Sequence, residues 1–304
     1  MCVEGDKSYA GPLAGAVAQL CESLSAQVPQ ASAPRLRAIG ERLASPLQLA
    51  VVGRIKAGKS TLVNALIGRR VAQTGIGECT RLVTRYRYGT VDRIDVVRLD
   101  GSRMTLPPGA QGGLPTELGI DPAQVSHLEA YLTNAVLRDL TVIDTPGLGS
   151  TDESSARRAE AVLGIPSNPA AGTGPEPALD EASTRAITGA EALLYVLTQD
   201  VRATDQDSLA AFHAAGAHRD AGPVTALAVL NKVDTVPPDS LACAEGDLAG
   251  MARVLAARQE AALGSRVAGV LPMIGLLAET TETGAFTAEI ADGLRALGAL
   301  DPGG

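Results

Sequence analysis

Aromatic residues are scarce in this chain of 304 residues: tryptophan is absent, and two phenylalanines and five tyrosines make up 2% of it. A core built without large rings must rest on Leu, Val, Ile and Ala. Hydrophobic content is 45%, much of it alanine, and a chain of this length can bury a sizeable core as one large domain or one domain with appendages. Cysteine is nearly as rare. Cys2, Cys21, Cys79 and Cys243 form no CxxC pair and have no metal-ligand spacing with His127, His213 and His218, so they read as free thiols of a reducing compartment. No apolar run approaches the roughly 18 residues of a membrane span. The start, Met1 to Lys7, lacks the basic end and apolar run of a signal peptide. The expected location is the cytoplasm, with any membrane contact peripheral, for example at the inner face of the plasma membrane. Positive charge is also short. The net charge of −8 argues against nucleic acid or an anionic lipid surface as the partner of the whole chain.

Within the basic residues lysine is the rare one: four of the 26 are lysine and the rest arginine. Three of those lysines fall in two short segments, Gly53-Arg54-Ile55-Lys56-Ala57-Gly58-Lys59-Ser60 and Asn231-Lys232-Val233-Asp234. A guanidinium is bulky and fixed in geometry, whereas a lysine ammonium is a point charge on a thin arm that can thread between two phosphates. That placement points to a nucleotide site.

The order of the remaining segments is that of an α/β protein. Leu13, Val17, Leu20, Leu24 and Val28 recur at helical spacing, and Leu36, Ile39 and Leu43 repeat the stripe after a proline-containing break. Phe286, Ile290, Leu294 and Leu297 form a third stripe near the other end. These terminal helices either pack together as a small bundle or cover the sheet. Between them, strands are predicted over 47–52, 82–88, 93–99, 103–106, 140–143, 192–198, 224–230 and 267–272, with Asp100-Gly101 as a hairpin turn. Helical sequence separates most of them, which is the pattern of a mostly parallel sheet covered on both faces. Residues 107–120, with three prolines and four glycines, read as a loop. Asp121 as cap and Pro122 in the first turn predict a helix running to about Leu137. Residues 165–178, which hold four prolines, read as a mobile insert. The expected fold is a three-layer P-loop NTPase sandwich with an antiparallel hairpin edge. Its boundaries are 1–46 for the N-terminal helices, 47–281 for the nucleotide domain and 282–304 for the C-terminal helix.

Gly53–Ser60 matches GxxxxGK[ST] between an apolar strand and a helix. Its glycines let backbone N–H groups of the loop, including Ala57 and Gly58, curl around phosphates, and the helix N-terminus with Thr61 adds favourable partial charge. Lys59 is expected to reach the β- and γ-phosphates and Ser60 to ligate Mg²⁺. Asp144-Thr145-Pro146-Gly147 follows the strand at 140–143. Asp144 there can hold Mg²⁺, and the Gly147 amide can donate to a γ-phosphate. Asp234 selects the base: its carboxylate accepts from the two donors on guanine's edge, where adenine offers neither. Charge-assisted bonds of roughly 1.5–3 kcal/mol each make two of them decisive. Asn231 is expected to tie the base to the P-loop, and the Lys232 stem to lie along the base. Thr80, with Thr74 and Thr84 as neighbouring competitors, is a candidate third Mg²⁺ ligand that also holds the attacking water, in a switch loop around 72–81. A second switch loop is expected around 145–160.

The run GRIKAGKSTLVNALIG, then CTRLVTRYRYG, TVIDTPGLGS and LNKVD, resembles bacterial dynamin-like GTPases, and among them the actinobacterial isoniazid-inducible type. The resemblance spans roughly residues 47–281. It implies GTP and GDP as ligands, Mg²⁺-dependent hydrolysis, dimerisation through the nucleotide domains, and flanking helices that form a neck. Only about 20 residues follow that span, so the chain reads as a piece of a stalked protein or a minimal member. Two positions depart from related patterns. Leu148 stands where many small GTPases place the glutamine that orients water, and Ile55 where eukaryotic dynamins place theirs. Lys56 is the candidate substitute, since guanylate-binding proteins carry an arginine finger at the equivalent loop position; the alternative is a solvated lysine. Two other readings stay open: a GTP-switched binding module with negligible hydrolysis, and a translation-factor-class GTPase. The latter would need a basic RNA-contacting surface.

Overall fold

The computed structural model describes residues 12–73, 82–109, 112–146, 190–198, 201–217, 225–236 and 248–298. The insert expected at 165–178 and most of both switch loops lie outside them. Two helices come first, α1 (Pro12–Ser25) and α2 (Ala33–Leu43), followed by β1 (Leu47–Gly53) and α3 (Lys59–Ile67). β2 (Thr84–Tyr88), β3 (Arg93–Arg98), β4 (Arg103–Leu106), β5 (Val125–Leu132), β6 (Leu140–Asp144) and β7 (Ala192–Leu197) come next. The order closes with α4 (Ala203–Ala217), β8 (Thr225–Asn231), α5 (Leu248–Leu263), β9 (Val270–Met273), α6 (Gly275–Glu282) and α7 (Ala288–Gly298).

All nine described strands form one sheet in the order β4-β3-β5-β2-β6-β1-β7-β8-β9. β6, β1, β7, β8 and β9 run parallel, whereas β2 is antiparallel to β6 and β3 is antiparallel to both β4 and β5. Alternation along each strand divides the core in two. Ala50, Val52, Leu193, Tyr195 and Leu197 face α4 and α5 through Leu209, Phe212, Ala252 and Ala256. Val51, Leu194, Val196, Tyr86, Val96 and Leu128 face the side covered by Leu62, Val63 and Ile67 of α3. The molecule is the expected three-layer sandwich.

One expectation is overturned. The helix predicted from Asp121 to about Leu137 is a single 3-10 turn, Pro122–Gln124, followed by the strand β5. The start signal was real, since the Asp121 carboxylate accepts from the Ala123 amide. The turn stops because Leu128, Ala130 and Leu132, all buried at period two, are claimed by the sheet, where β5 sits between β3 and β2. Tertiary pairing outweighs a local cap here. The antiparallel part is consequently wider than the hairpin edge expected from the sequence.

The other face of that antiparallel part takes up many of the arginines. Glu129, nearly buried, accepts from Arg103 and from the Tyr131 hydroxyl, with Arg87 3.6 Å away. Burial pushes its carboxyl upward, but these partners outweigh burial and leave it below the usual range. Asp95 accepts from Thr105, and Arg93 stacks on the Tyr131 ring at 3.9 Å. Each margin of the sheet is chemically blunt. β4 is four residues long with Arg103 and Thr105 exposed, and Pro272 lies within edge strand β9, where its missing N–H costs no ladder bond.

The helices α1 and α2 pack against each other, burying Cys21 and Ala33, and Arg42 pairs with Glu191, whose other oxygen accepts from the Gln48 amide at the start of β1. Leu13, Val17, Leu20 and Leu24 of the α1 stripe are exposed, and among the described residues α7 makes no extensive contact with either helix.

Buried polar groups also fix the α4 side. The Tyr195 hydroxyl donates to Asp205 Oδ1 at 2.8 Å, and Asp205 Oδ2 accepts from the Arg202 amide at the start of α4. Burial and the neighbouring carboxylate push the phenol above its usual range, so it stays a donor at any working pH. Tyr195→Phe should leave a buried carboxylate oxygen unsatisfied and cost about 1–3 kcal/mol, read as a lower urea midpoint with an unchanged denaturant slope.

Candidate functional site

The parallel register brings the ends of five strands, β6, β1, β7, β8 and β9, to one place. Val51 pairs with Asp144, Gly53 with Val196, Leu197 with Leu230 and Asn231 with Met273. In an open α/β sheet the carboxyl ends of the strands line the ligand crevice, and every described candidate residue stands there.

β1 ends at Gly53, where a Cβ would lie 2.4 Å from the Val196 carbonyl oxygen, so only glycine permits β7 to run this close. The loop that follows is closed by an Ala57 amide bond to the Arg54 carbonyl. It turns through Lys56 at φ 61° and Gly58 at φ 97° before α3 begins at Lys59. Left-handed backbone is costly for a lysine, and such strain persists only where surroundings hold it. Here the Lys56 carbonyl accepts from Lys232 Nζ at 2.8 Å, while the Lys56 side chain itself is exposed.

Lys59 is buried and donates to the Arg54 carbonyl at 3.0 Å, across the mouth of the loop. Burial pulls its ammonium below the ordinary lysine range, with Asp144 pulling the other way. Asp144 is pushed up to about 6 by burial, opposed by Lys59 and by the Ser60 hydroxyl. Ser60 Oγ donates to Asp144 Oδ2 at 3.3 Å, and Asp144 Oδ1 is buried without a hydrogen-bond partner. An orphaned carboxylate oxygen beside a hydroxyl is a donor set that fits a small hard cation. Among the described residues no three His, Cys, Asp or Glu side chains cluster as a metal cage, so such an ion would depend on few protein ligands.

Asn231, 3% exposed at the end of β8, joins this loop to the rest. Its Nδ2 donates to the Ala57 carbonyl at 2.8 Å, and its Oδ1 accepts from the amides of Lys232 at 2.9 Å and Gly275 at 2.8 Å. The packing is close enough that a Cβ at Gly58 would fall 2.2 Å from Nδ2. Lys232, at φ 61°, then opens the 3-10 turn Val233–Thr235, which presents Asp234 to solvent. Thr61 lies in the first turn of α3. Thr80 and Gly147 lie outside the described residues.

Three participants escaped sequence reasoning. Thr145 Oγ1 donates to the Val51 carbonyl at 2.8 Å and pins the exit of β6 beside β1. The Gly275 amide reaches Asn231 from a segment far along the chain, and a Cβ there would lie 2.8 Å from Oδ1. Asn64, within the apolar helix α3, is the third; a polar residue inside an otherwise buried run was its only signal.

This fold and this loop define a P-loop NTPase domain. Residues 49–105 match the model of the dynamin family. The isoniazid-induced protein IniC of Mycobacterium tuberculosis is 44% identical over 117 residues, 38% of this chain and 24% of that protein. A bacterial dynamin-like protein of Nostoc punctiforme is 28% identical over 121 residues, 34% of this chain and 17% of that one. A solved chain of an oligomerised bacterial dynamin pair superposes with a TM-score of 0.47 at 17% identity, covering 95% of this chain and 40% of that one. The matched part is thus about a quarter or less of these curated relatives' length. Over these stretches the chain is similar to dynamin-family sequence, and it resembles the bacterial dynamin-like GTPases.

Asn231→Ala should leave the Ala57 carbonyl and the Gly275 amide without partners and destabilise the ligand-free protein by about 2–4 kcal/mol. Calorimetry should show that loss for Asn231→Ala and a change within about 0.5 kcal/mol for the exposed Asp234→Ala.

Proposed function

We propose that this chain binds GTP and GDP with Mg²⁺ and hydrolyses GTP, with turnover raised when two nucleotide domains pair. The observation that carries this reading is the fastening of the Asn231–Asp234 segment to the P-loop through Asn231 and Lys232. Base recognition and phosphate recognition then form one rigid unit. Lys59 would exchange its bond to the Arg54 carbonyl for the β- and γ-phosphates, and the amides from Ala57 to Thr61 would surround them. Asp234, exposed beside that cradle, would accept from guanine's two edge donors. Ser60 and Asp144, with Thr80, would hold Mg²⁺, which when bound neutralises charge shared by the β- and γ-phosphates. The Gly147 amide would donate to the γ-phosphate.

Phosphoryl transfer depends on positioning and charge neutralisation more than on covalent chemistry, so the lack of a water-orienting glutamine at Leu148 or Ile55 does not forbid it. The exposed Lys56 side chain is free to reach across to a nucleotide when a second domain presses on the loop. The helices of 1–46 and 282–304 are read as a neck flanking the domain at 47–281. No described helix is long and apolar enough to cross a membrane, and contact with one is proposed only as peripheral, from the cytoplasm. Among the alternatives, a switched binding module differs only in lacking turnover.

With Mg²⁺ present, phosphate release should proceed over many turnovers, and GTP should displace a bound fluorescent guanine nucleotide at least 100-fold better than ATP. Lys59→Ala should abolish both. A single turnover that stalls would favour the switched binding module, and equal displacement by ATP would remove the guanine assignment. Specific activity should rise with protein concentration in the wild type and stay flat in Lys56→Ala; identical curves would remove Lys56 from the mechanism.

A further inference from the structure

The amide of Asn64 uses its full hydrogen-bonding capacity inside the protein, at 1% exposure. Its Oδ1 accepts from the amides of Val71 at 2.9 Å and Ala72 at 2.7 Å. Its Nδ2 donates to the Ala72 carbonyl at 3.1 Å and to Glu279 Oε1 at 2.7 Å. The chain leaving α3 is therefore held at Val71–Ala72 by a side chain that is itself held by Glu279 of α6. The same helix α6 begins at Gly275, whose amide donates to Asn231 Oδ1. One short helix thus touches the base-recognition segment at its first residue and, one turn later, the Asn64 side chain that holds the backbone leading away from the phosphate-binding helix.

Glu279 is 4% exposed. A polar group buried at this depth needs a hydrogen-bond partner, and the Asn64 amide supplies it. We propose that Glu279 and Asn64 are positioning residues that make α6 a strut between the guanine-binding segment and the Val71–Ala72 backbone. Occupancy of the base site fixes Asn231, Asn231 fixes the start of α6, and Glu279 passes that constraint to Asn64 and the two amides it holds. The inference rests on the guanine-site reading above and adds to it a route by which the base influences the phosphate side.

Guanosine, which carries the base and no phosphate, is the probe that isolates this route. In the wild-type chain saturating guanosine should slow hydrogen exchange at the Val71 and Ala72 amides at least threefold, and adenosine should not. In Glu279→Met, a substitution of matched length and no charge, the base should still bind but the slowing at Val71 and Ala72 should disappear. Glu279→Gln, whose carbonyl oxygen can still accept from Asn64, should restore it. A purely structural role would lower the melting temperature of Glu279→Met without altering the response to guanosine in any variant that folds. Guanosine that binds the wild type while leaving both amides unchanged overturns the coupling whether or not the variants fold. If the wild type binds neither guanosine nor GDP, the guanine-site reading fails and the coupling fails with it.

Discussion

The loops of the site are joined through one buried carboxamide. Asn231 donates to the P-loop at Ala57 and accepts from its neighbour Lys232 and from the distant Gly275, so three chain segments share one planar group. A carboxamide suits this position because it carries a donor and an acceptor about two ångströms apart in fixed geometry. A carboxylate would have no proton for the Ala57 carbonyl. The glycines at 58 and 275 follow from this choice, since at either place a Cβ would collide with the Asn231 side chain. The Lys232-to-Lys56 bond then fastens the same two loops a second time, through backbone conformations unfavourable to lysine.

Electrostatics divides along similar lines. Lys59 and Asp144 are both buried, and burial moves both toward their neutral forms while each holds the other toward its charged form. The two are not bonded to each other: Lys59 donates to the Arg54 carbonyl and Asp144 Oδ1 has no hydrogen-bond partner. On the far wing of the sheet the opposite holds. Glu129 is surrounded by Arg103, Arg87 and Tyr131 and is already satisfied, so its charge is structural. The lysine–arginine division seen in the sequence matches this contrast: arginine's multidentate fork closes the network around Glu129, and Lys59 and Lys232 each make a single bond to a loop carbonyl.

Much of this was legible in the sequence where local pattern and tertiary demand agree. β4 falls on the expected residues, and β1, β6 and β7 to within a residue or so, because continuous apolar runs ending in Gly, Asp or Thr leave few alternatives. The region from Asp121 failed because its cap motif is genuine but local, while the fate of Val125 onward is decided by β2 and β3. Asn64 and Glu279 could not be paired by inspection, since 215 positions separate them and nothing in the run that contains Asn64 points to Glu279. Candidate residues on strand ends were found by chemistry, and those that support them only by contact.

The blunt margins of the sheet set a rule for how this molecule can grow. A proline inside β9 on one side and a four-residue strand with exposed Arg103 and Thr105 on the other leave poor templates for a further strand. Assembly by continuing the sheet from copy to copy, the route to fibres, is therefore disfavoured at both ends. Among the described residues, faces that carry exposed apolar side chains are instead found on helices, such as Leu13 and Leu20 of α1.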